Sequence, residues 1–120
     1  MDLKEIMGQK VFAVVGDTLN EQKYAHKIKN ELKEHDYKVY SVGKELESIN
    51  DIPEDIDVID LCIHPAKGIE LLKECKKDYK CILIQPGAES EEILDYLDET
   101  HSPFLEGCAL VGLRLYSKRK

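Results

Sequence analysis

The run VFAVVG at residues 11–16 limits the fold of this chain more than any other stretch. Five apolar residues followed by a glycine are typical of a buried parallel strand that leads into a turn, and a charged run of helical period follows at 21–35. At such a junction the first N–H groups of the helix are unpaired, and the helix dipole favours an anion. The stretch therefore predicts a phosphate-binding site.

The rest of the chain repeats this alternation of strand and helix. Further strands are predicted at 38–42, 57–63, 80–84 and 102–105, and helices at 68–77 and, with Ser90 as N-cap, up to residue 99. Three weaker segments are a helical turn at 3–7, an irregular crossover at 45–55 with one short strand near 46–48, and an apolar stretch at 107–115 that covers a sheet edge. The alternation predicts an α/β fold with a doubly wound parallel sheet of about five strands and helices on both faces.

Length and composition are those of one small globular domain over residues 1–120. Hydrophobic residues make up 42% of the chain and charged residues 34%, and no apolar run approaches the roughly 20 residues that span a bilayer. The first seven residues mix charges of both signs and do not resemble a secretion signal. We therefore expect a cytoplasmic protein that does not enter a membrane.

The net charge of −7 argues against nucleic acid as a partner. Lysine and arginine are spread along the chain except for the basic tail KRK at 118–120. A nucleic-acid-binding protein usually carries a basic surface, because phosphate neutralisation dominates its affinity.

The four cysteines do not predict a metal site. Cys62, Cys75, Cys81 and Cys108 include no CxxC pair, and no cluster of zinc ligands is visible. We expect reduced thiols, as is usual for a cytosolic protein.

The ends of the five predicted strands form one rim, where open parallel sheets bind their ligands. The rim residues are Gly16-Asp17-Thr18, Val42-Gly43-Lys44, Ile63-His64-Pro65, Gln85-Pro86-Gly87 and Glu106-Gly107-Cys108. Four of these five loops contain glycine, which lets a ligand approach the backbone closely, although glycine also ends strands in ordinary turns.

The first loop argues against ordinary NAD binding. A nicotinamide or flavin fingerprint needs GxGxxG after the first strand and an acidic residue after the second. This chain has GDTLNE at 16–21, with one glycine, and Lys44 near the place of the acid. A lysine there would suit a phosphate on the ribose, so an NADP-type nucleotide stays open.

Several motifs in order resemble the small coenzyme A-binding domain family. They are VVGDTLN at 14–20, KYAHKI at 23–28, YKVYSV at 37–42, IP at 52–53 before DVID at 57–60, HPA at 64–66, IQPGAE at 84–89 followed by EE, and GC at 107–108. The likeness extends over nearly the whole chain. It implies a three-layer, Rossmann-like domain that binds coenzyme A or an acyl-coenzyme A, with no family-wide catalytic reaction.

The resemblance also implies a role for each matching position. Gly16, Asp17 and Thr18 would line the pyrophosphate turn, and Lys23, Tyr24 and Ala25 the approach of the phosphates and pantetheine. Val42, Gly43 and Lys44 would lie near the adenosine, and His64, Pro65, Gln85 and Pro86 along the pantetheine arm. Gly87 and Cys108 complete the predicted cofactor-binding set.

Two other classes of function stay open. The chain could be a redox enzyme or sensor that uses an NADP-type nucleotide, as Lys44 and the rim thiols suggest. It could also have lost its ligand and act through a protein partner or a homodimer, since Asp17 puts an acid beside the expected pyrophosphate. Cys108 could form a mixed disulfide with a thiol ligand or be a buried thiol. His64 has no paired nucleophile and is read as a hydrogen-bonding residue at a strand end.

Overall fold

The computed structural model describes residues 1–117, so the basic tail at 118–120 lies outside the described residues. The strands are β1 (Val11–Gly16), β2 (Lys38–Gly43), β3 (Val58–Leu61), β4 (Cys81–Ile84) and β5 (Phe104–Glu106). The helices are α1 (Leu3–Met7), α2 (Tyr24–Glu34), α3 (Pro65–Glu74), α4 (Glu91–Glu99) and α5 (Ala109–Tyr116), with a 3₁₀ turn at Ile49–Asp51. No helix within residues 1–117 is long and apolar enough to span a membrane.

The five strands form one sheet in the order β2-β1-β3-β4-β5, and all neighbouring strands are parallel. β1 pairs with β2 on one side, where Gly16 lies opposite Gly43, and with β3 on the other, where Val15 lies opposite Leu61. The chain thus winds outward in both directions from β1. This confirms the predicted doubly wound α/β fold.

Two apolar cores, one on each face of the sheet, make three layers. On one face α3 and α4 bury Leu72 and Ile93 against the sheet. On the other face α1, α2 and α5 bury Ile6, Ile28 and Leu113. Helices on both faces are expected when the chain winds outward in both directions from β1 and each crossover has the usual right hand.

Caps fix the start of the helices on the first face. The Oγ of Ser90 accepts a hydrogen bond from the N–H of Ile93 at 3.1 Å, which confirms the predicted cap of α4. α3 begins at Pro65, three residues before its predicted start. Proline suits the first position of a helix, and Nδ1 of His64 accepts the N–H of Ala66 at 3.1 Å.

The start of α2 was predicted wrongly. The helix begins at Tyr24 rather than at residue 21, because two side chains hold the preceding residues in turns. Asp17 Oδ1 accepts the N–H of Asn20 at 3.2 Å, and Asn20 Oδ1 accepts the N–H of Gln22 at 2.9 Å. The periodicity of 21–35 also predicts an apolar stripe that includes Tyr24 and Ala25; Ala25 is buried, but Tyr24 is 70% exposed and lies outside the buried face of α2.

Two further segments differ from the prediction. Near residues 46–48 the chain makes one bridge, between Val42 and Leu46, and no strand of its own. The apolar stretch at 107–115 forms helix α5 on a sheet face instead of covering an edge. There Gly112 lies so close to Met7 that an added Cβ would stand 2.7 Å from its Sδ, so α1 and α5 pack tightly against each other.

Candidate functional site

A pocket of about 260 Å³ opens where the strand order reverses, at the carboxyl ends of β1, β3 and β4. This is the position at which open α/β sheets bind ligands. Ten residues from three loops line the pocket: Asp17, Lys23, Tyr24, Ala25, Cys62, Ile63, His64, Pro86, Gly87 and Ala88. Seven of them were predicted from the sequence as site residues, and Cys62, Ile63 and Ala88 were not.

The N-terminus of α2 forms one wall of the pocket and is not capped by a side chain. Lys23 is the N-cap residue with extended backbone, and its side chain makes no capping hydrogen bond. Within residues 1–117, no side chain accepts a hydrogen bond from the N–H of Tyr24 or Ala25. The first turn of α2 therefore offers unpaired donors and the positive end of a helix dipole to a ligand.

Gly16 brings α2 close to the sheet. A Cβ at Gly16 would stand 2.3 Å from the carbonyl oxygen of Cys62 and 2.8 Å from the Cβ of Ala25. Only a residue without a side chain fits between the end of β1, the exit of β3 and the first turn of α2. Gly16 thus shapes the pocket without appearing in its lining.

The side chain of Thr18 is buried and makes a hydrogen bond within the protein. Its Oγ1 donates a hydrogen bond to Glu45 Oε2 at 2.7 Å, and the same oxygen lies 3.1 Å from Lys29 Nζ. The hydrogen bond from Thr18 is the main cause that holds the pKa of Glu45 below its usual range. Thr18 is fully buried and lies outside the pocket lining, and its contact with Glu45 ties the β1–α2 loop to the segment after β2.

The residues predicted near the adenosine do not line the pocket. Val42 is buried in the core, Gly43 has a φ of +124° beside Gly16, and Lys44 is exposed. Pro65, also predicted, starts α3 and is likewise absent from the lining. These four residues lie outside the pocket lining, and their role in ligand binding stays a prediction.

A smaller cavity of about 190 Å³ adjoins the pocket. Its lining residues are Tyr24, Cys62, Gln85, Pro86 and Cys108, of which Tyr24, Cys62 and Pro86 also line the pocket. Gln85 joins its walls, because Oε1 of this buried side chain accepts the N–H of Ala109 at 2.7 Å. The cavity therefore brings the predicted residues Gln85 and Cys108 together beside the pocket.

One buried acid, Asp60, lies next to the site, and its lack of a hydrogen-bond partner among the described residues was not predicted from the sequence. Asp60 in β3 is fully buried, and within residues 1–117 neither of its carboxyl oxygens has a hydrogen-bond partner. Burial raises the pKa of Asp60 to about 8. The alternation of a strand places its side chain on the same face as that of Cys62, two residues on.

The pKa of the Cys62 thiol depends on both its burial and its neighbours. Burial is the main cause that raises the pKa of Cys62 to about 12, and the proximity of the Asp60 carboxyl and the Cys108 thiol adds to it. Cys62 is therefore a neutral thiol at neutral pH. All four cysteines are free, and among the described residues no three His, Cys, Asp or Glu side chains are grouped to hold a metal ion.

Solved structures with similar folds span most of the chain. A conserved hypothetical protein from Pyrococcus furiosus is 30% identical, with a TM-score of 0.75 over 86% of this chain and 98% of its own. The PH1109 protein redesigned for binding is 25% identical, with a TM-score of 0.81 over 98% and 92%. A Thermus thermophilus protein at 20% identity and a TM-score of 0.75, over 95% and 98%, shows the same fold.

A match to a protein-family model identifies the family of this chain, which the names of these structures do not state. No curated protein matches the chain. Residues 10–114, however, match the model of the CoA binding domain, and this range includes every strand but not α1 or the last two residues of α5. This protein therefore belongs to the CoA-binding domain family.

Proposed function

We propose that this protein binds coenzyme A, or an acyl derivative of it, in the pocket at the ends of β1, β3 and β4, as a binding module rather than an enzyme. The observation that carries the proposal is the uncapped N-terminus of α2, which faces a pocket at the reversal of strand order in a CoA-binding domain. Unpaired N–H groups and a helix dipole are the features that hold a pyrophosphate.

The phosphates would lie against the first turn of α2. Gly16 allows this turn to approach the sheet, and the exposed ammonium of Lys23 can reach an anion there. Asp17 also lines the pocket and opposes the anion, so the N–H groups and Lys23 must outweigh one carboxylate. We therefore expect an affinity that depends on ionic strength.

The pantetheine arm would continue along the wall made by Ile63 and Pro86 towards the smaller cavity. These apolar side chains suit a chain of methylene and amide groups, and His64 supplies a polar group at the start of α3. The arm would thus end near Gln85, with its sulfur in the cavity. The adenosine would extend past the pocket towards Gly43 and Lys44.

Thermal stability and calorimetry test the ligand class directly. A ligand at roughly 100-fold its dissociation constant stabilises a protein by about 2.7 kcal/mol, which corresponds to roughly 10 °C in a small domain. We expect that shift with coenzyme A and acetyl-coenzyme A, and not with NAD, NADP or ATP. A stronger response to NADP would support the nucleotide redox alternative, and silence with all five would support a domain that has lost its ligand.

Two lysine variants test the pose. Lys23→Ala and Lys44→Ala should each weaken coenzyme A binding several-fold, since each removes a charge near a phosphate. The matched control is Lys27→Ala, which removes an exposed lysine from the same helix one turn further on and outside the pocket lining. Equal affinities in all three variants would exclude the proposed phosphate positions.

A further inference from the structure

The cavity beside the pocket holds two thiols at the place where the proposed ligand would bring a third. Cys62 and Cys108 both line this cavity of about 190 Å³, although they lie on different loops and 46 positions separate their numbers. The cavity shares Tyr24, Cys62 and Pro86 with the main pocket. A pantetheine arm that follows Pro86 therefore carries its sulfur towards Cys108.

The two thiols differ in their surroundings. Cys62 leaves β3 on the same face as the unpartnered carboxyl of Asp60, and burial raises the pKa of Cys62 to about 12. Cys108 is only partly buried, is the N-cap residue of α5, and makes no capping hydrogen bond with its side chain. A helix dipole favours negative charge at this position. Cys108 is thus the thiol of the pair that is placed to react.

We propose that Cys108 forms a mixed disulfide with the pantetheine sulfur of coenzyme A, by exchange with a coenzyme A disulfide bound in the pocket. The proposal rests on the proposed function, because the pocket must first hold the coenzyme A moiety. The Cys108 thiolate attacks one sulfur of the incoming disulfide, a new S–S bond forms, and the old S–S bond breaks. The second half leaves as a thiolate and takes up the proton that Cys108 released to water. No other oxidant is needed.

Cys62 determines what happens next. Resolution into a Cys62–Cys108 disulfide would require the thiolate of Cys62, which its burial and the neighbouring Asp60 disfavour. The mixed disulfide should therefore accumulate until an external thiol reduces it. The cavity would act as a holding site for the coenzyme A sulfur rather than as a dithiol oxidant.

The full chain is first reduced and then freed of reductant. It is incubated with coenzyme A disulfide, and mass spectrometry of the intact protein follows the reaction. We expect one coenzyme A adduct per chain, on Cys108 by peptide mapping, formed at least tenfold faster than a glutathione adduct at equal disulfide concentration. Acetyl-coenzyme A, which cannot exchange, should slow the reaction by occupying the pocket. Cys108→Ser should abolish the adduct, Cys62→Ser should still form it, and Cys75→Ser, outside both cavities, should react at the wild-type rate.

Three results would overturn the inference: equal rates with the two disulfides, an adduct on another cysteine, or a Cys62–Cys108 disulfide as the product. Calorimetry with reduced coenzyme A on the reduced wild-type protein separates the two proposals. Binding without an adduct would refute the mixed disulfide and leave the proposed function standing. No binding, together with equal rates for both disulfides, would refute both.

Discussion

The side-chain oxygen of Gln85 accepts a hydrogen bond from the backbone N–H of Ala109 at 2.7 Å. This buried contact joins the end of β4 to the start of α5. It therefore holds together two walls of the smaller cavity, which Cys62 and Cys108 line. It also satisfies a donor at a helix N-terminus that has no cap of its own, since Cys108 provides none.

Replacing Gln85 should therefore cost stability. Gln85→Leu removes the acceptor and leaves the N–H of Ala109 buried without a partner, which we expect to lower the free energy of unfolding by about 1–3 kcal/mol. Urea denaturation measures the loss. Gln22→Ala, at an exposed position, should stay within about 0.5 kcal/mol of the wild type. A Gln85→Leu protein as stable as this control would show that the contact contributes nothing.

Asp60 should make the protein less stable as pH rises. Burial raises its pKa from the ordinary 3.8 to about 8, so between these values the folded state binds a proton that the unfolded state has lost. The stability tied to this group is fully present below about pH 4 and is lost as pH rises to about 8, by up to about 1.4 kcal/mol per pH unit.

Asp60→Asn removes this titration while keeping the shape of the side chain. Urea denaturation at pH 5.5, 7 and 8.5 should show the variant gaining on the wild type as pH rises, and the difference isolates this carboxyl from every other group. The control Asp78→Asn, at an exposed position, should follow the wild type. Parallel curves for wild type and Asp60→Asn would contradict the assignment.

Gly16 should tolerate no side chain. The Cβ of Gly16→Ala would stand 2.3 Å from the backbone oxygen of Cys62, so the first turn of α2 must move away from the sheet. We expect a loss of about 2 kcal/mol or more, together with weaker coenzyme A binding. Gly8→Ala is the matched control, because its Cβ would meet backbone oxygen at an ordinary 3.4 Å and its φ is −83°. Similar stabilities for both variants would refute the proposed close contact.

Removing the charge of Asp17 should tighten ligand binding. Asp17→Asn keeps an oxygen that can accept the N–H of Asn20, so the turn before α2 is preserved, but it removes one negative charge from the pocket. We expect coenzyme A to bind several-fold more tightly at low salt, with a smaller gain at high salt. Glu21→Gln, an exposed acid outside the lining, controls for net charge in the same calorimetric titration. An equal gain in both variants would show that the net negative charge of the protein, rather than the position of Asp17, weakens binding.

The parts of the fold that the sequence predicted well are those with a local cause. The unbroken apolar run of β1, ended by a glycine, is typical of a strand covered on both faces, and Ser90 before two glutamates can cap a helix without help from the rest of the chain. The Gln85-Pro86-Gly87 loop was placed at the rim because it follows a strand, and the structure puts it there.

The parts that were missed depend on residues far apart in sequence. The alternation that put Asp60 in a strand gave no sign that its carboxyl lacks a partner, since that depends on the helices covering it. Thr18 was assigned to the ligand turn, but its partner Glu45 is 27 residues away. No helix was predicted at 107–115, because this apolar stretch shows no clear polar face at helical period. Its helical form depends on packing against α1 and α2.

The tight packing of Met7 against Gly112 joins α1 to α5, which the ribosome makes much later. α1 and α2 cover only part of the sheet face that carries Phe12, Val58 and Leu83, and α5, residues 109–116, completes the cover. During synthesis this face is therefore fully covered only after residues 109–116 have left the ribosome. Until then, its apolar strands are the surface that a chaperone would recognise.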